Sequence, residues 1–186
     1  MRVTEAGKAR AGYSPAMITL HWLMLALLAS VYACIELREL FEKGSEPREL
    51  LKTWHFMLGL SVFVLVWLRL FIRWRSPVAP ISPAPSPWQQ RMAKWAHMLL
   101  YGLMIGMPLA GWLMLSAAGK PIPFFGLELP ALIGPDKNLA SEIKDLHETV
   151  GVAGYWLIGL HAAAALLHHY VLRDNTLSRM LPLVRR

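Results

Sequence analysis

Residues 145–170 read Asp-Leu-His-Glu-Thr-Val-Gly-Val-Ala-Gly-Tyr-Trp-Leu-Ile-Gly-Leu-His-Ala-Ala-Ala-Ala-Leu-Leu-His-His-Tyr. In an α-helix, the step from His147 to His161 advances by about 21 Å and returns to within about 40° of the same face. One helix therefore carries an imidazole near each edge of a hydrocarbon core of about 30 Å. A polar ring in that environment is costly unless something binds it, so both histidines are candidate functional residues.

The composition indicates a membrane protein. The chain has 186 residues, of which 55% are hydrophobic and 17% charged, and its mean hydropathy is +0.39. These values are too apolar for an ordinary soluble domain. The formal charge of +7 comes without a nucleic-acid-binding motif, so we expect a lipid bilayer as the partner and no nucleic acid. Since Cys34 is the single cysteine, an internal disulfide and a cysteine-based metal site are excluded.

Four apolar segments predict an all-α fold, an integral membrane four-helix bundle built as one transmembrane domain over residues 1–186. The predicted helices span about residues 15–37, 53–72, 92–116 and 149–172. A proline-rich connector follows the second helix, and prolines at this density predict an extended linker. The longest connection runs from Ala117 to Lys144, and loops of that length are usually functional or cover a site.

The distribution of lysine and arginine predicts the orientation of the bundle. Of the 19 basic residues, 12 lie in the N-terminal tail, the region from Arg69 to Lys94 that contains the proline connector, and the C-terminal segment. By the positive-inside rule, both termini are therefore expected in the cytoplasm. The acidic residues agree with this orientation, because all but Glu5 and Asp174 fall on the opposite side.

The predicted helices place four histidines at two depths. In an antiparallel bundle His21 lies near the inner edge with His161, and His55 lies near the outer edge with His147. Two imidazoles per level are too few for a zinc site, which needs four protein ligands or three and a water. An iron porphyrin needs only two, because its macrocycle provides four nitrogens. This pattern favours two b haems, with the four histidines as axial ligands to the iron.

Three further residues are candidates for cofactor binding. Gly59 and Gly151 each follow a histidine of the outer pair by four residues, one helical turn away, where a flat macrocycle needs a small neighbour. Arg69 follows His55 by fourteen residues and should reach the level of the inner pair. It could serve as the counter-ion of a haem propionate. The alternative for Arg69 is an arginine that extends to lipid phosphates.

Three more histidines, His97, His168 and His169, are predicted to cluster at the cytoplasmic rim. They could hydrogen-bond propionates, bind a quinone carbonyl or deliver protons, since histidine titrates near neutral pH. Simple interfacial packing is the alternative for this cluster. For the four paired histidines the alternatives are packing and a proton relay, but a relay requires intramembrane Asp or Glu, which these helices essentially lack.

Several blocks of the sequence resemble the bacterial cytochrome b561 family and, within it, the small four-helix superoxide oxidases. The similarity covers nearly the whole chain, including Arg69 and the proline connector. The blocks that carry it are Leu20-His-Trp22, Trp54-His-Phe-Met-Leu-Gly59, Leu146-His-Glu-Thr149, the run from Gly159 to Tyr170, and Asp174-Asn-Thr-Leu-Ser-Arg-Met180.

The resemblance implies a multi-pass protein of the bacterial inner (cytoplasmic) membrane with two haem b groups, ligated at His21, His55, His147 and His161. It further implies a superoxide:ubiquinone oxidoreductase, in which superoxide on the outer side gives an electron to the outer haem and ubiquinone accepts it. Both irons would be six-coordinate, so superoxide would donate its electron without binding the metal.

Two questions follow from this resemblance. The outer segments are negative overall, so attraction of an anion requires a local basic patch, for which the candidates are Lys52, Arg48, Lys137 and Lys144. The competing function is an electron-relay cytochrome b subunit that passes electrons from a docked dehydrogenase or hydrogenase to quinone. Relatives of that kind typically have an additional helix and a dedicated partner, whereas a superoxide oxidase requires no protein partner.

Overall fold

The computed structural model describes residues 12–76 and 80–181. Within these residues lie four long helices, each long and apolar enough to cross a membrane. They are α1 (Pro15–Leu37), α2 (Glu46–Arg75), α3 (Pro87–Ala117) and α4 (Lys137–Tyr170). The prediction of an all-α, multi-pass membrane bundle is confirmed. The basic residues 2, 8, 10, 185 and 186 and the first residues of the proline connector lie outside the described ranges.

The four helices differ in how well the sequence predicted their ends. Helix α1 has the predicted bounds, whereas α2 begins at Glu46 rather than near residue 53. Helix α3 begins at Pro87, where the Ser86 hydroxyl accepts a hydrogen bond from the backbone N–H of Gln89. Helix α4 begins at Lys137, directly after the capping carboxylate of Asp136. These polar caps start the helices before their apolar stretches begin.

The connection between α3 and α4 was predicted as a loop but contains a β-hairpin. Strand β1 (Ile122–Phe124) pairs antiparallel with β2 (Leu127–Leu129). The turn uses Phe125 and Gly126, with φ angles of 48° and 85°, the left-handed conformation typical of tight hairpins. The hairpin covers one end of α2, because the Phe125 N–H donates to Met57 Sδ at 3.3 Å and Ile122 is buried.

The helices pack in chain order, α1 on α2, α2 on α3 and α3 on α4. The central core joins the first three helices through Met24, Val62, Val66 and Met104. Helix α4 is described along its whole length and has a single buried residue, Gly154. It approaches α1 and α2 at few points within the described chain. A space therefore separates α4 from these two helices.

The end of the bundle that contains the start of α1 is closed by the C-terminal segment, residues 171–181. The Trp22 indole N–H donates to the Met180 carbonyl at 2.8 Å. Asn175 and Ser82 exchange two hydrogen bonds, at 2.9 and 3.2 Å. The start of α1, the proline connector and the C-terminal segment therefore lie together. Their predicted cytoplasmic location stays a prediction.

We predict that Gly154→Ala destabilises the protein, because α4 meets α1 at this glycine. The Tyr32 hydroxyl donates to the Gly151 carbonyl at 2.9 Å. A methyl group at position 154 would contact the Tyr32 hydroxyl and come within 3.3 Å of Leu103. Overpacking of this kind costs about 1–3 kcal/mol. The loss should appear as a lower midpoint of thermal unfolding in detergent.

The matched control is Gly159→Ala, because a methyl group at that position of the same helix meets open space. In a double-mutant cycle, Tyr32→Phe should reduce the cost of Gly154→Ala, since the hydroxyl that the methyl contacts is then absent. Equal midpoints for Gly154→Ala and Gly159→Ala would contradict the packing described here.

Candidate functional site

The structure brings His55 of α2 and His147 of α4 together. Their ring centres are 6.3 Å apart and the ring planes are inclined by 70°. His55 Nδ1 lies 3.0 Å from the Val31 carbonyl oxygen. Because a carbonyl only accepts hydrogen bonds, the ring carries its proton on Nδ1 and donates it there. This hydrogen bond leaves the Nε2 lone pair of His55 available to a metal ion, as in many metal-ligating histidines.

His147 is positioned by helix α3. A Cβ atom at Gly111 would lie 3.5 Å from His147 Cε1, so the imidazole rests against the backbone of α3. The Nδ1 atom of His147 is buried and has no hydrogen-bond partner within the described chain. An unsatisfied buried polar atom of this kind calls for a further ligand, and a ring nitrogen can bind a metal ion.

A cavity of about 660 Å³ opens between the helices around His55 and His147. This volume lies within the range of roughly 300–1,000 Å³ that is usual for cofactor sites. Gly59, Gly111 and Gly151 all line the cavity. A Cβ atom at Gly59 would enter open space, whereas one at Gly151 would contact Met107 of α3 at 3.7 Å. Gly59 and Gly151 were predicted from their spacing, whereas Gly111 lies on another helix and had no such signal.

The structure also brings His21 of α1 and His161 of α4 together. Their ring centres are 6.4 Å apart, with the ring planes inclined by 67°. Arg69 lies at this level, as its spacing from His55 predicted, and is buried. Its Nη2 is 3.2 Å from His21 Nδ1, and its Nη1 is 3.5 Å from the Met17 carbonyl. A role for Arg69 as a propionate counter-ion stays a prediction.

The three histidines predicted at the rim are found in three different contacts. The His97 ring lies 5.4 Å from the His161 ring, next to the inner pair. The His169 ring lies 4.8 Å from the ring of Tyr170. His168 contacts the C-terminal segment. The sequence predicted a common level for these residues, but the side chain of His97 is turned toward the paired histidines.

His168 forms a hydrogen bond with the buried carboxylate of Asp174. Burial by itself would raise the pKa of Asp174, but the hydrogen bonds from His168 and Thr176 outweigh it and hold this pKa below its usual value. Asp174 is therefore ionised at neutral pH and accepts from His168 Nδ1. This hydrogen bond fixes the orientation of the His168 ring.

The geometry of both histidine pairs fits a haem iron. A metal ion held by two imidazole nitrogens would lie about 2 Å from each of them, so the two ring centres must lie within about 7 Å of each other. The observed separations are 6.3 and 6.4 Å. Across residues 12–76 and 80–181, no group of three or more His, Cys, Asp or Glu side chains is placed to hold a metal ion. A group that brings its own equatorial nitrogens suits this donor set.

The basic patch near the outer pair differs from the predicted one. Arg48 is buried and donates to both carboxylate oxygens of Glu39 at 3.0 Å, so it offers no exposed charge. Lys137 starts α4. The side chains that do line the cavity include Lys52 and Lys144, together with Arg38 and Lys120, which the sequence did not single out.

Comparison with known proteins identifies relatives over nearly the full length of the chain. Residues 12–183 match the model of the family described as prokaryotic cytochrome b561. The chain is 39% identical to cytochrome b561 homolog 1 of Escherichia coli, over 91% of this chain and 97% of the relative. It is 40% identical to the probable superoxide oxidase CybB of Yersinia pestis, over 91% of this chain and 96% of the relative.

A more distant relative is cytochrome b562 of Cereibacter sphaeroides, which is 29% identical over 91% of this chain and 95% of its own length. The family match and the two relatives near 40% identity agree with the four apolar helices and the paired histidines. The chain therefore belongs to the prokaryotic cytochrome b561 family of bacterial membrane electron-transfer proteins, which bind haem b.

Proposed function

We propose that this chain is a di-haem superoxide:ubiquinone oxidoreductase of the bacterial inner membrane, with residues 1–186 forming one transmembrane domain. The proposal rests on two histidine pairs at two depths, His55 with His147 between α2 and α4 and His21 with His161 between α1 and α4. A histidine pair at each depth supports one haem at each depth. Two haems in one chain provide a route for electrons between the two membrane surfaces.

Each haem, when bound, supplies a metal centre that accepts and releases one electron. His55 and His147 would hold the outer group, and His21 and His161 the inner one. The Val31 carbonyl orients His55, and the open space beside Gly59 accommodates the edge of a macrocycle. Because two histidines would hold each group, neither site would leave a metal position free for superoxide, so the electron would enter without a bond to the metal.

The outer cavity supports an anionic substrate. Its lining includes four cationic side chains, Arg38, Lys52, Lys120 and Lys144, together with Glu36, Glu39 and Glu148. Arg38, Lys52 and Lys144 are ion-paired with glutamates, which leaves Lys120 as the best candidate among these four for attracting an anion. The name of the Yersinia relative, probable superoxide oxidase, agrees with this substrate. Each superoxide loses one electron and leaves as O2, and this step needs no proton.

The acceptor reaction needs protons, because ubiquinone takes up two electrons and two protons to form ubiquinol. Two superoxide anions are therefore oxidised for each quinone. We assign quinone binding or proton delivery to His97, His168 and His169. Of these, His168 is oriented by Asp174, and His97 lies against His161. The contact of His97 with His161 supports a role beside the inner pair, and the contact with Asp174 supports a fixed orientation of the His168 ring.

We predict that His55→Ala and His147→Ala each lose the outer haem and keep the inner one, because each removes one of the two histidines that would hold the group at that depth. The purified variants should contain half the haem of the wild-type protein per chain. Extraction of haem and measurement of its reduced pyridine complex give this ratio, and the visible spectrum identifies the haem that stays.

The matched variants are His21→Ala and His161→Ala, which should lose the inner haem and keep the outer one. The two pairs of variants should leave two different residual spectra, identical within each pair. Full haem content in any of the four, or a His55→Ala spectrum equal to that of His21→Ala, would refute the assignment of ligands to depths.

The proposed reaction is tested by rapid mixing of the oxidised protein with superoxide while the haem absorption bands are followed. We predict fast reduction of the haems, followed by reoxidation only when ubiquinone is present. Boiled protein and superoxide dismutase added before mixing are the controls. A protein that contains both haems but does not respond to superoxide would instead be a relay for a docked dehydrogenase or hydrogenase.

We predict that Lys120→Gln slows haem reduction by superoxide, because this exposed lysine lines the outer cavity. Removal of one steering charge should lower the second-order rate constant roughly threefold or more at low salt, and the difference should vanish as ionic strength rises. Lys137→Gln is the matched control, since it removes an equal charge from the start of α4. Equal rates for both variants at low salt would argue against entry beside Lys120.

A further inference from the structure

We propose that the buried positive charge of Arg69 sets the direction of electron transfer, by making the inner haem the stronger electron acceptor of the two. This inference rests on the proposed di-haem function. It concerns the relative affinity of the two sites for an electron, which neither the family match nor the names of the relatives address.

The contacts of Arg69 put a full positive charge against one ligand of the inner pair. The guanidinium lies between α1 and α2, at 3.2 Å from His21 Nδ1 and 3.5 Å from the Met17 carbonyl. A neutral imidazole has one N–H and one lone pair, so His21 can bind a metal through Nε2 only when Nδ1 carries the proton. With a metal bound there, the guanidinium would act on the inner site through its buried positive charge and not as a hydrogen-bond donor to His21.

The outer pair has a different arrangement. His55 Nδ1 donates its proton to the Val31 carbonyl oxygen, and a ligand that donates in this way becomes more basic and pushes electron density toward its metal. An electron is therefore less favourable at the outer site than at the inner site. The buried guanidinium at one level and the carbonyl acceptor at the other distinguish two histidine pairs that have nearly equal ring separations.

The charge of Arg69 is also persistent. Guanidinium stays protonated at every pH at which proteins work, and Arg69 is only 8% exposed, so salt screens it weakly. Among the described residues, no carboxylate lies within ion-pair distance of it. The ion pairs of the described chain join Arg38, Arg48, Lys52 and Lys144 to acidic partners. The positive field at the inner level is therefore not cancelled by these acidic side chains.

The step that this field favours is a single electron transfer. The group held by His55 and His147 loses one electron and is oxidised, and the group held by His21 and His161 gains it and is reduced. No bond forms or breaks. The positive charge beside His21 stabilises the added negative charge at the inner site, so the equilibrium lies inward.

The experiment is a potentiometric titration of the purified protein, followed through the haem absorption bands, for wild type, Arg69→Gln, Arg69→Lys and Arg73→Gln. Each titration is repeated in the His55→Ala background to assign the inner step. In Arg69→Gln we expect the reduction potential of the inner haem to fall and that of the outer haem to stay unchanged. The equilibrium constant for inward transfer should drop at least tenfold, which is 59 mV for a one-electron couple.

Arg69→Lys keeps the positive charge. Its equilibrium constant for inward transfer should therefore stay within threefold of the wild-type value. Arg73→Gln is the matched control, because it removes an equal charge one turn further along α2 from an exposed position. This control should leave both steps in place, since exposed charges are well screened.

Four outcomes would overturn the inference. They are an unmoved inner step in Arg69→Gln, a tenfold fall in Arg69→Lys, an equal fall in Arg73→Gln, and loss of the inner haem from Arg69→Gln, which would assign Arg69 to holding the cofactor. The haem content of the wild-type protein separates this test from the proposed function. Fewer than two haems per chain would refute the di-haem proposal itself, whereas two haems with an unmoved inner step would refute only the role of Arg69.

Discussion

The spacing of the two histidines on α4 is the constraint on which the arrangement of the bundle depends. An imidazole in hydrocarbon costs free energy unless it is bound, and α4 carries two of them, about 21 Å apart along its axis. Their partners come from different helices, His55 of α2 for His147 and His21 of α1 for His161. Helix α4 must therefore lie opposite α2 at one depth and opposite α1 at the other. Its main packing partner is α3.

This requirement explains why α4 is so little buried by protein atoms. Its one buried residue is Gly154, where the helix comes close enough to α1 for the Tyr32 hydroxyl to reach the Gly151 carbonyl. Elsewhere the separation leaves room for a planar group, and the cavity of about 660 Å³ beside His55 and His147 is the clearest part of it. A group that joins α4 to α1 and α2 would stabilise the bundle by mass action, so folding and cofactor binding are linked.

Periodicity in the sequence was sufficient to predict the four apolar helices and which histidines lie next to each other, because both follow from local helix geometry and an antiparallel arrangement. The starts of α2 and α4 were placed too late, since hydropathy follows the lipid boundary whereas caps such as Asp136 decide where a helix begins. The places of Gly111, Lys120 and Arg48 depend on packing between distant segments, and such contacts leave no spacing signal along the chain.

Lys120 and Arg69 are expected to affect different quantities, the rate of substrate arrival and the electrostatic potential at the inner level, because one side chain is exposed and the other is buried. Lys120, at the outer cavity, is exposed, so salt screens it, and it can change the rate at which an anion arrives but hardly the energy of a buried electron. Arg69 is buried beside His21, so it contributes little to the encounter and much to the local potential. Under the proposed function, Lys120 would attract the anionic substrate and Arg69 would stabilise the electron at the inner level. The direction of transfer would then follow from two fixed charges and would require no conformational change.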